Sequence, residues 1–567
     1  MESLLFHSSK RDQIQFRFYK RIEALQKGYR QNIGLIGRRA LGKTHLLGEL
    51  FQQYSNQPDI IPIYFNAEAL DLDHLVERWA GSIFSGFLAH RSLPAPEDFQ
   101  SLLSLAESYI PRTAEKIRSF KRIIRRERSV QAVKEFFSLT GLLAEETGKK
   151  ILLMMDEFDH LSMLPAPDPF ALMGKEIMIQ KNTLYLMASS SQEKARGIFR
   201  DQLSLLFGNF EVIEIAPLGF TEILEFIGLQ LPQRKFSDPQ KRLLISLSNG
   251  EPIYLKLLLT QLKSFLSDSG TSGTEVPCEA LLEAFRRELF EETGKIHQIF
   301  ENRMAACRRL AKDNSPYLRT LLAISDGRRK ALGIATYIER KVRETKKILQ
   351  RLVQEGFVTK SGSFYILGDP LFQFWLIHVF QRRHHLYTPD ETGALRAFYD
   401  ALMRCLEAGK ATASEDMTAR VEALFKEFRN DVVEVDQRKV QCPQFSEIAF
   451  RPTNGRVFPL LARNPKVRWF CQIAKETVRE EDIATFLDEL KRSRRRVQRK
   501  IFIALAGIEQ NAKLMAQAAK IQLWGLRNFN DLLELYHLPK MVIIPNSEVK
   551  EPDGSNLGPL AQNLSSA

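Results

Sequence analysis

The stretch NIGLIGRRALGKTHLLGEL, residues 32–50, decides the fold. Within it, GRRALGKT (37–44) fits the phosphate-loop pattern G-x-x-x-x-G-K-[ST]. A triphosphate carries several negative charges and must be held out of water. The backbone N–H groups of a tight glycine loop point at it, and the following helix adds its positive N-terminal end. Gly37 and Gly42 supply backbone freedom where a Cβ would clash. Lys43 places a point charge on the β- and γ-phosphates, and Thr44 offers its hydroxyl to Mg2+. Arg38, Arg39, Ala40 and Leu41, with His45 opening the helix, complete the expected ATP contact. The apolar run before the loop reads as a strand, and THLLGELFQQY after it reads as an amphipathic helix.

Working outward, a second apolar run, ILLMMDEFDHL (151–161), ends in two acids. This is the Walker B arrangement. The strand end delivers Asp156 to the magnesium shell, and Glu157 sits where it can polarise an attacking water. Asp159 and His160 are either supporting groups or ordinary loop polar residues. A third run, LYLMASSS, ends in Ser189, Ser190 and Ser191, and a hydroxyl such as that of Ser190 can sense the γ-phosphate or orient water. The strand candidates are 32–37, 60–65, 150–156, 183–189 and 210–217. Most are continuous apolar runs, as in a parallel sheet with helices on both faces. A long helical insert carrying RSFKRIIRRER (118–128) separates the second and third.

A chain of 567 residues exceeds one hydrophobic core and predicts three or four domains. No apolar run is long enough for a membrane helix, so no membrane partner is expected. The N-terminus lacks a signal-peptide pattern, which suggests a cytoplasmic protein. The five cysteines form no C-x-x-C pair and read as buried free thiols. The net charge of +13 fits either a polyanionic partner such as DNA or a basic but inert surface.

The order GRRALGKTHLL, LLMMDEFD, LMASSS, IAPLGFTEILEF, NGEPIYL and GDPLFQFWL resembles the archaeal-type ATPases of the STAND class of P-loop NTPases. The likeness spans about residues 10–385. It implies an ATPase core of the additional-strand type (1–219), a helical lid (220–305) and a winged helix (306–385). It also implies that Lys43, Thr44, Asp156 and Glu157 bind or hydrolyse ATP with Mg2+. One position departs from the family. Where a Gly-Arg dipeptide usually precedes the strand leading to the Pro-Leu turn, this chain has Gly208-Asn209. Arg196 and Arg200 are the nearby candidates to replace that arginine.

In the winged-helix segment, Arg340, Lys341, Arg343, Lys346 and Lys347 crowd the first half of the third helix, the end that would approach a major groove. Ile348, Leu349, Leu352 and Val353 mark its buried stripe. VTKSGSFYIL reads as a two-stranded wing. The alternative is that this segment packs on the core as a lid. A helical linker (386–435) follows.

Residues 436–545 resemble the restriction-endonuclease-like fold, particularly Mrr-type modules of the PD-(D/E)xK class. The strand WFCQIAK ends in Lys475, KIFIALAG is a second strand, and a last helix is expected to open at Asn530 or Asp531. A working site needs an acid or glutamine two residues before the lysine. That residue is Ile473, and Gln472 is out of phase. Glu447, placed on an earlier helix, is the remaining acid, so a degenerate, non-cleaving module is expected. The run KRSRRRVQRK, with Arg494, Arg495 and Arg496, is either a nucleic-acid contact or a solvated helix end. The tail 546–567 reads as disordered.

These readings together predict an α/β multidomain protein, an ATP- and Mg2+-dependent switch that binds DNA. The alternatives are a nucleotide-gated scaffold for a protein partner or homo-oligomer, and an ATP-driven nuclease.

Overall fold

The computed structural model describes residues 9–542, apart from 40, 70, 127–129, 204–207, 269–272, 311–314, 386–389, 415, 437, 451–455 and 493–496. The expectations for Ala40, Arg494, Arg495, Arg496 and the tail 546–567 lie outside the described residues.

Five strands form the first sheet: β1 (Asn32–Ile36), β2 (Ile60–Asn66), β3 (Lys150–Asp156), β4 (Thr183–Ser189) and β5 (Phe210–Glu214). Their order is β2-β3-β4-β1-β5, and every pairing is parallel. Each expected strand is present. The last is shorter than 210–217 because Pro217 has no N–H to extend the ladder, although Ile215 still donates to the carbonyl of Ile36 at 2.8 Å. β4 lies between β1 and β3, so the phosphate-loop strand and the acidic strand end about 10 Å apart.

Side chains alternate across this sheet. Ile33, Leu35, Leu152, Met154, Leu184 and Leu186 face one apolar core with Phe18 and Leu47. Ile63, Phe65, Leu153, Met155, Tyr185 and Met187 face a second core on the other side. That second core is closed by the insert helices Leu72–His90, Phe99–Glu107, Pro111–Arg126 and Val130–Thr147. Trp79 anchors them between Phe65 and Phe136, with ring centroids 4.9 and 5.2 Å away.

From residue 218 to about 406 the chain is mostly helical and builds one continuous core. Its last third contains the helices Ser315–Ser325, Ala331–Tyr337 and Val342–Gln354, then the hairpin β6 (Thr359–Ser361) and β7 (Phe364–Ile366). Ile348, Leu349 and Leu352 are buried and Val353 is half-buried, as the apolar stripe predicts.

A second hairpin, β8 (Asp431–Val435) and β9 (Arg438–Cys442), precedes a mixed sheet of β10 (Glu447–Phe450), β11 (Val457–Arg463), β12 (Arg468–Ala474), β13 (Arg499–Ala504) and β14 (Gln522–Gly525). β10, β11 and β12 pair antiparallel, and β12, β13 and β14 pair parallel. Three features differ from expectation. Glu447 is on a strand, not a helix, because Ile448 and Phe450 alternate inward while β10 pairs with β11. The last helix spans Leu526–Leu535 and opens well before Asn530, with the Asn528 side chain accepting from the Gly525 N–H at 3.1 Å. Val421, Leu424 and Phe425 of the helix Met417–Lys426, expected in a linker, pack into the core of this second sheet.

Candidate functional site

The phosphate loop leaves β1 at Gly37, whose N–H donates to the Ser189 carbonyl at 3.2 Å. A Cβ on Gly37 would lie 3.1 Å from the carbonyl oxygen of Ile215, the residue after β5, so any side chain there would push that backbone by a few tenths of an ångström. Gly42 has a φ of +82° and starts the helix Lys43–Ser55. Lys43 is buried, and its ammonium donates to the carbonyls of Gly37 (2.7 Å) and Arg38 (2.8 Å). Burial lowers its pKa, while Glu157 and Asp156 act in the opposite sense.

Thr44 and Asp156 meet at the end of β3. The Thr44 hydroxyl donates to Asp156 Oδ2 at 2.5 Å, and Tyr64 donates to the same oxygen at 3.2 Å. A hydroxyl and a carboxylate oxygen at this spacing are hard oxygen donors, the donor set Mg2+ takes. Glu157 follows with a φ of +49°, a left-handed conformation unusual for a glutamate. The turn aims its carboxylate at Ser190, whose N–H donates at 2.9 Å and whose hydroxyl also donates. Burial raises the Glu157 pKa despite Lys43 and these bonds. Asp159 is buried, accepts from Ser189 Oγ at 2.7 Å and pairs with Lys194 at 3.1 Å.

The remaining predicted loop residues sit farther out. Leu41 is core, and its carbonyl accepts from the buried Arg11 at 2.7 Å. Arg39 is exposed, 3.8 Å from Glu68, and His45 lies 3.1 Å from Glu49. Of the two arginines weighed against Asn209, Arg196 pairs with Glu214 at 2.6 Å and Arg200 with its neighbour Asp201 at 2.7 Å. Arg196 lines the cavity that faces the loop, and Arg200 does not.

That cavity, about 770 Å3, lies between the loop and the helical region. Its far wall holds four residues that sequence reasoning passed over: Glu251, Tyr254, Arg303 and Asp369. Asp369 accepts from Tyr254 (2.9 Å) and pairs with Arg303 (2.9 Å). Glu251 is buried nearby, and burial followed by the charge of Asp369 pushes its carboxyl up to about 8. Arg38 reaches across from the loop to the carbonyl of Gly368. The sequence did hold a signal: the tripeptides Gly250-Glu251-Pro252 and Gly368-Asp369-Pro370 share one pattern. Both glycines have positive φ and both prolines open a helix, so each places an acid at a helix start facing the cavity.

Arg343, Lys346 and Lys347 on the helix Val342–Gln354, and Arg340 and Lys341 just before it, are all exposed. Beside them the hairpin edge is occupied: Ser363 N–H donates to the Val432 carbonyl at 2.8 Å, and Glu434 N–H donates to Ser361 Oγ at 3.1 Å. In the second sheet, Lys475 pairs with Asp416 at 3.0 Å. Ile473 is buried, Gln472 turns to Glu489 on the opposite face (3.2 Å), and Glu447 pairs with Arg463 at 2.5 Å.

No protein-family model and no curated protein matches the sequence. Solved structures overlap it in part. A Walker-type ATPase of Pyrococcus abyssi, paby2304, is 15% identical with a TM-score of 0.42, covering 63% of this chain and 94% of that one. The ORC2 protein of Aeropyrum pernix, in ADPNP–ADP complexes, is 12% identical with a TM-score of 0.41, covering 71% and 96%. CDC6P from Pyrobaculum aerophilum is 12% identical with a TM-score of 0.33, covering 70% and 98%. These are similarities of chain course and do not assign the protein to a family.

Proposed function

We propose that this chain is an ATP-binding and ATP-hydrolysing switch of the STAND type that binds DNA through basic surfaces. The convergence of Lys43, Thr44, Asp156 and Glu157 at the ends of β1 and β3 carries the reading. The loop amides and Lys43 hold the phosphates. Thr44 and Asp156 are the residues that would hold Mg2+, which when bound neutralises charge on the phosphate oxygens. Glu157, oriented by Ser190, takes the proton of the attacking water, and a raised pKa suits a group that must accept it. The cavity wall of Glu251, Arg303 and Asp369 couples the phosphates to the helical lid and winged-helix segment. The order of sequence motifs, which resembles that of archaeal-type ATPases, supports this arrangement of parts. The basic third helix and the net charge of +13 support DNA as the polyanion.

The C-terminal module reads as restriction-endonuclease-like and non-cleaving. Lys475 is paired with Asp416, and the position that should carry its partner acid is the buried Ile473. The decisive experiment is phosphate release from ATP with and without duplex DNA, in wild type and in Lys43→Ala. Release unchanged in the variant removes the enzymatic assignment. Release that ignores DNA, together with no DNA binding, removes the DNA half.

A further inference from the structure

The C-terminal module carries a groove that neither the nucleotide site nor the Lys475 region accounts for. It lies at the end of the second sheet where β12, β13 and β14 begin, and has a volume of about 680 Å3. Lys475 follows the other end of β12, about 20 Å away by strand length. Four cations line the groove, Lys466, Arg499, Lys500 and Lys520, and none of the lining residues is acidic. None of the four has an acidic partner among the described residues. Elsewhere in the module Arg463, Lys475 and Arg456 pair with carboxylates at 2.5–3.0 Å. Unpaired positive charge gathered in one concavity focuses a positive potential there.

The groove is built rather than incidental. Asn464 Oδ1 accepts from the N–H of Lys466 (2.9 Å) and of Val467 (2.7 Å), fixing the turn that presents Lys466. Gln498 accepts from the Arg468 N–H at 2.6 Å and donates to the Lys466 carbonyl at 3.2 Å. Arg499 lies over the ring of Trp469, 5.5 Å from its centroid, and donates to Gln522 at 3.2 Å, so its planar donor face is held in place.

We infer that this groove binds the phosphate backbone of duplex DNA. This rests on the proposed DNA-binding function and names a second contact surface for it. Trp469 is buried beneath Arg499, so no aromatic face is offered for stacking unpaired bases. The lining also lacks the exposed apolar anchors a protein partner would need, while amides and cations are the donors that phosphate oxygens take. Recognition here is independent of base sequence.

The test is a salt titration of binding to a fluorescent random-sequence duplex, using the full chain, the wild type, and Lys466→Glu/Lys520→Glu. A second variant, Lys466→Gln/Lys520→Gln, removes charge without reversing it. Thermal melting and ATP turnover certify folding, since neither side chain touches the nucleotide cavity. The charge reversal should bind at least tenfold more weakly, with an intermediate loss in the glutamine variant and a log–log salt slope shallower by about 2. Duplex binding with unchanged affinity and slope in both variants overturns the groove and leaves the proposed DNA binding intact. No duplex binding by the wild type overturns both. A groove-dependent preference for single strands, or for an acidic peptide over DNA, overturns the duplex assignment.

Discussion

Arg38, inside the phosphate loop, donates a hydrogen bond to the carbonyl of Gly368, 330 residues later in the chain. Gly368 has a φ of +68° and is followed by Asp369, which Arg303 and Tyr254 hold. The glycine loop after β1 is therefore clasped directly to the segment that begins the helix Pro370–Trp375.

Removing the clasp should loosen that segment without unfolding it. Arg38→Ala deletes one charge-assisted bond at a partly exposed position, worth about 1.5–3 kcal/mol at most. Hydrogen exchange at the amides of 364–372 should speed up several-fold, while the buried strands β1 and β4 keep their protection. Equal protection of 364–372 in variant and wild type would show that the clasp contributes nothing.

Lys43 and Glu157 should separate binding from chemistry. Lys43→Ala removes the charge on the phosphates and should weaken ATP binding as well as turnover, the latter on the order of 100–1,000-fold. Glu157→Gln keeps the Ser190 contacts in part and leaves Lys43 intact. It should bind ATP nearly as well as wild type while its turnover falls by roughly 100-fold or more. Titration with a fluorescent ATP analogue alongside phosphate release distinguishes the two, and full turnover in Glu157→Gln would take the base role from that residue.

The phosphate-loop half of this candidate site was legible in the sequence, and the far wall of the cavity was not. Lys43, Thr44, Asp156 and Glu157 sit in local patterns whose spacing is set by a strand end and a helix start. Two matching Gly-acid-Pro tripeptides mark Glu251 and Asp369 at helix starts, but their meeting with Arg303 over the loop depends on how the helical region folds back, which no local pattern encodes. Four of the five parallel strands were legible because each is a buried apolar run, whereas β5 is half-exposed and mixes apolar with acidic residues. Glu447 was misplaced because QFSEIAF is short and equally compatible with a helix turn; antiparallel pairing with β11 decided the matter.

Glu251 makes stability depend on pH in a definite direction. Its carboxyl is raised to about 8 in the folded chain, above the roughly 4.3 of an unfolded glutamate. Below about pH 4 both states hold the proton and Glu251 carries no penalty. Between about 4 and 8 the unfolded state releases its proton while the folded state keeps it, so stability falls as pH rises. Above about 8 the decline is complete. Glu251→Gln should therefore match wild type near pH 4.5 and exceed it at pH 8.5, by on the order of a few kcal/mol at most. Urea midpoints at the two pH values measure this, and a variant less stable than wild type at pH 8.5 contradicts it.

The basic helix Val342–Gln354 offers the last prediction. Its basic residues are exposed, but the adjoining hairpin is not free, because β8 occupies the edge at Ser361 and Ser363. DNA approaching this segment would meet the helix Val342–Gln354 and not the wing. Arg343→Glu/Lys346→Glu/Lys347→Glu should then weaken duplex binding strongly and flatten the log–log salt dependence by about 2–3, near 0.9 for each DNA phosphate that is no longer neutralised. Lys360→Glu on the hairpin should change the slope by less than about 1. Fluorescence anisotropy between 50 and 300 mM salt reads both. A larger effect at Lys360 than on the helix would mean the hairpin leaves β8 to bind DNA, and it would make the bonds of Ser361 and Ser363 to β8 an obstacle that binding must first displace.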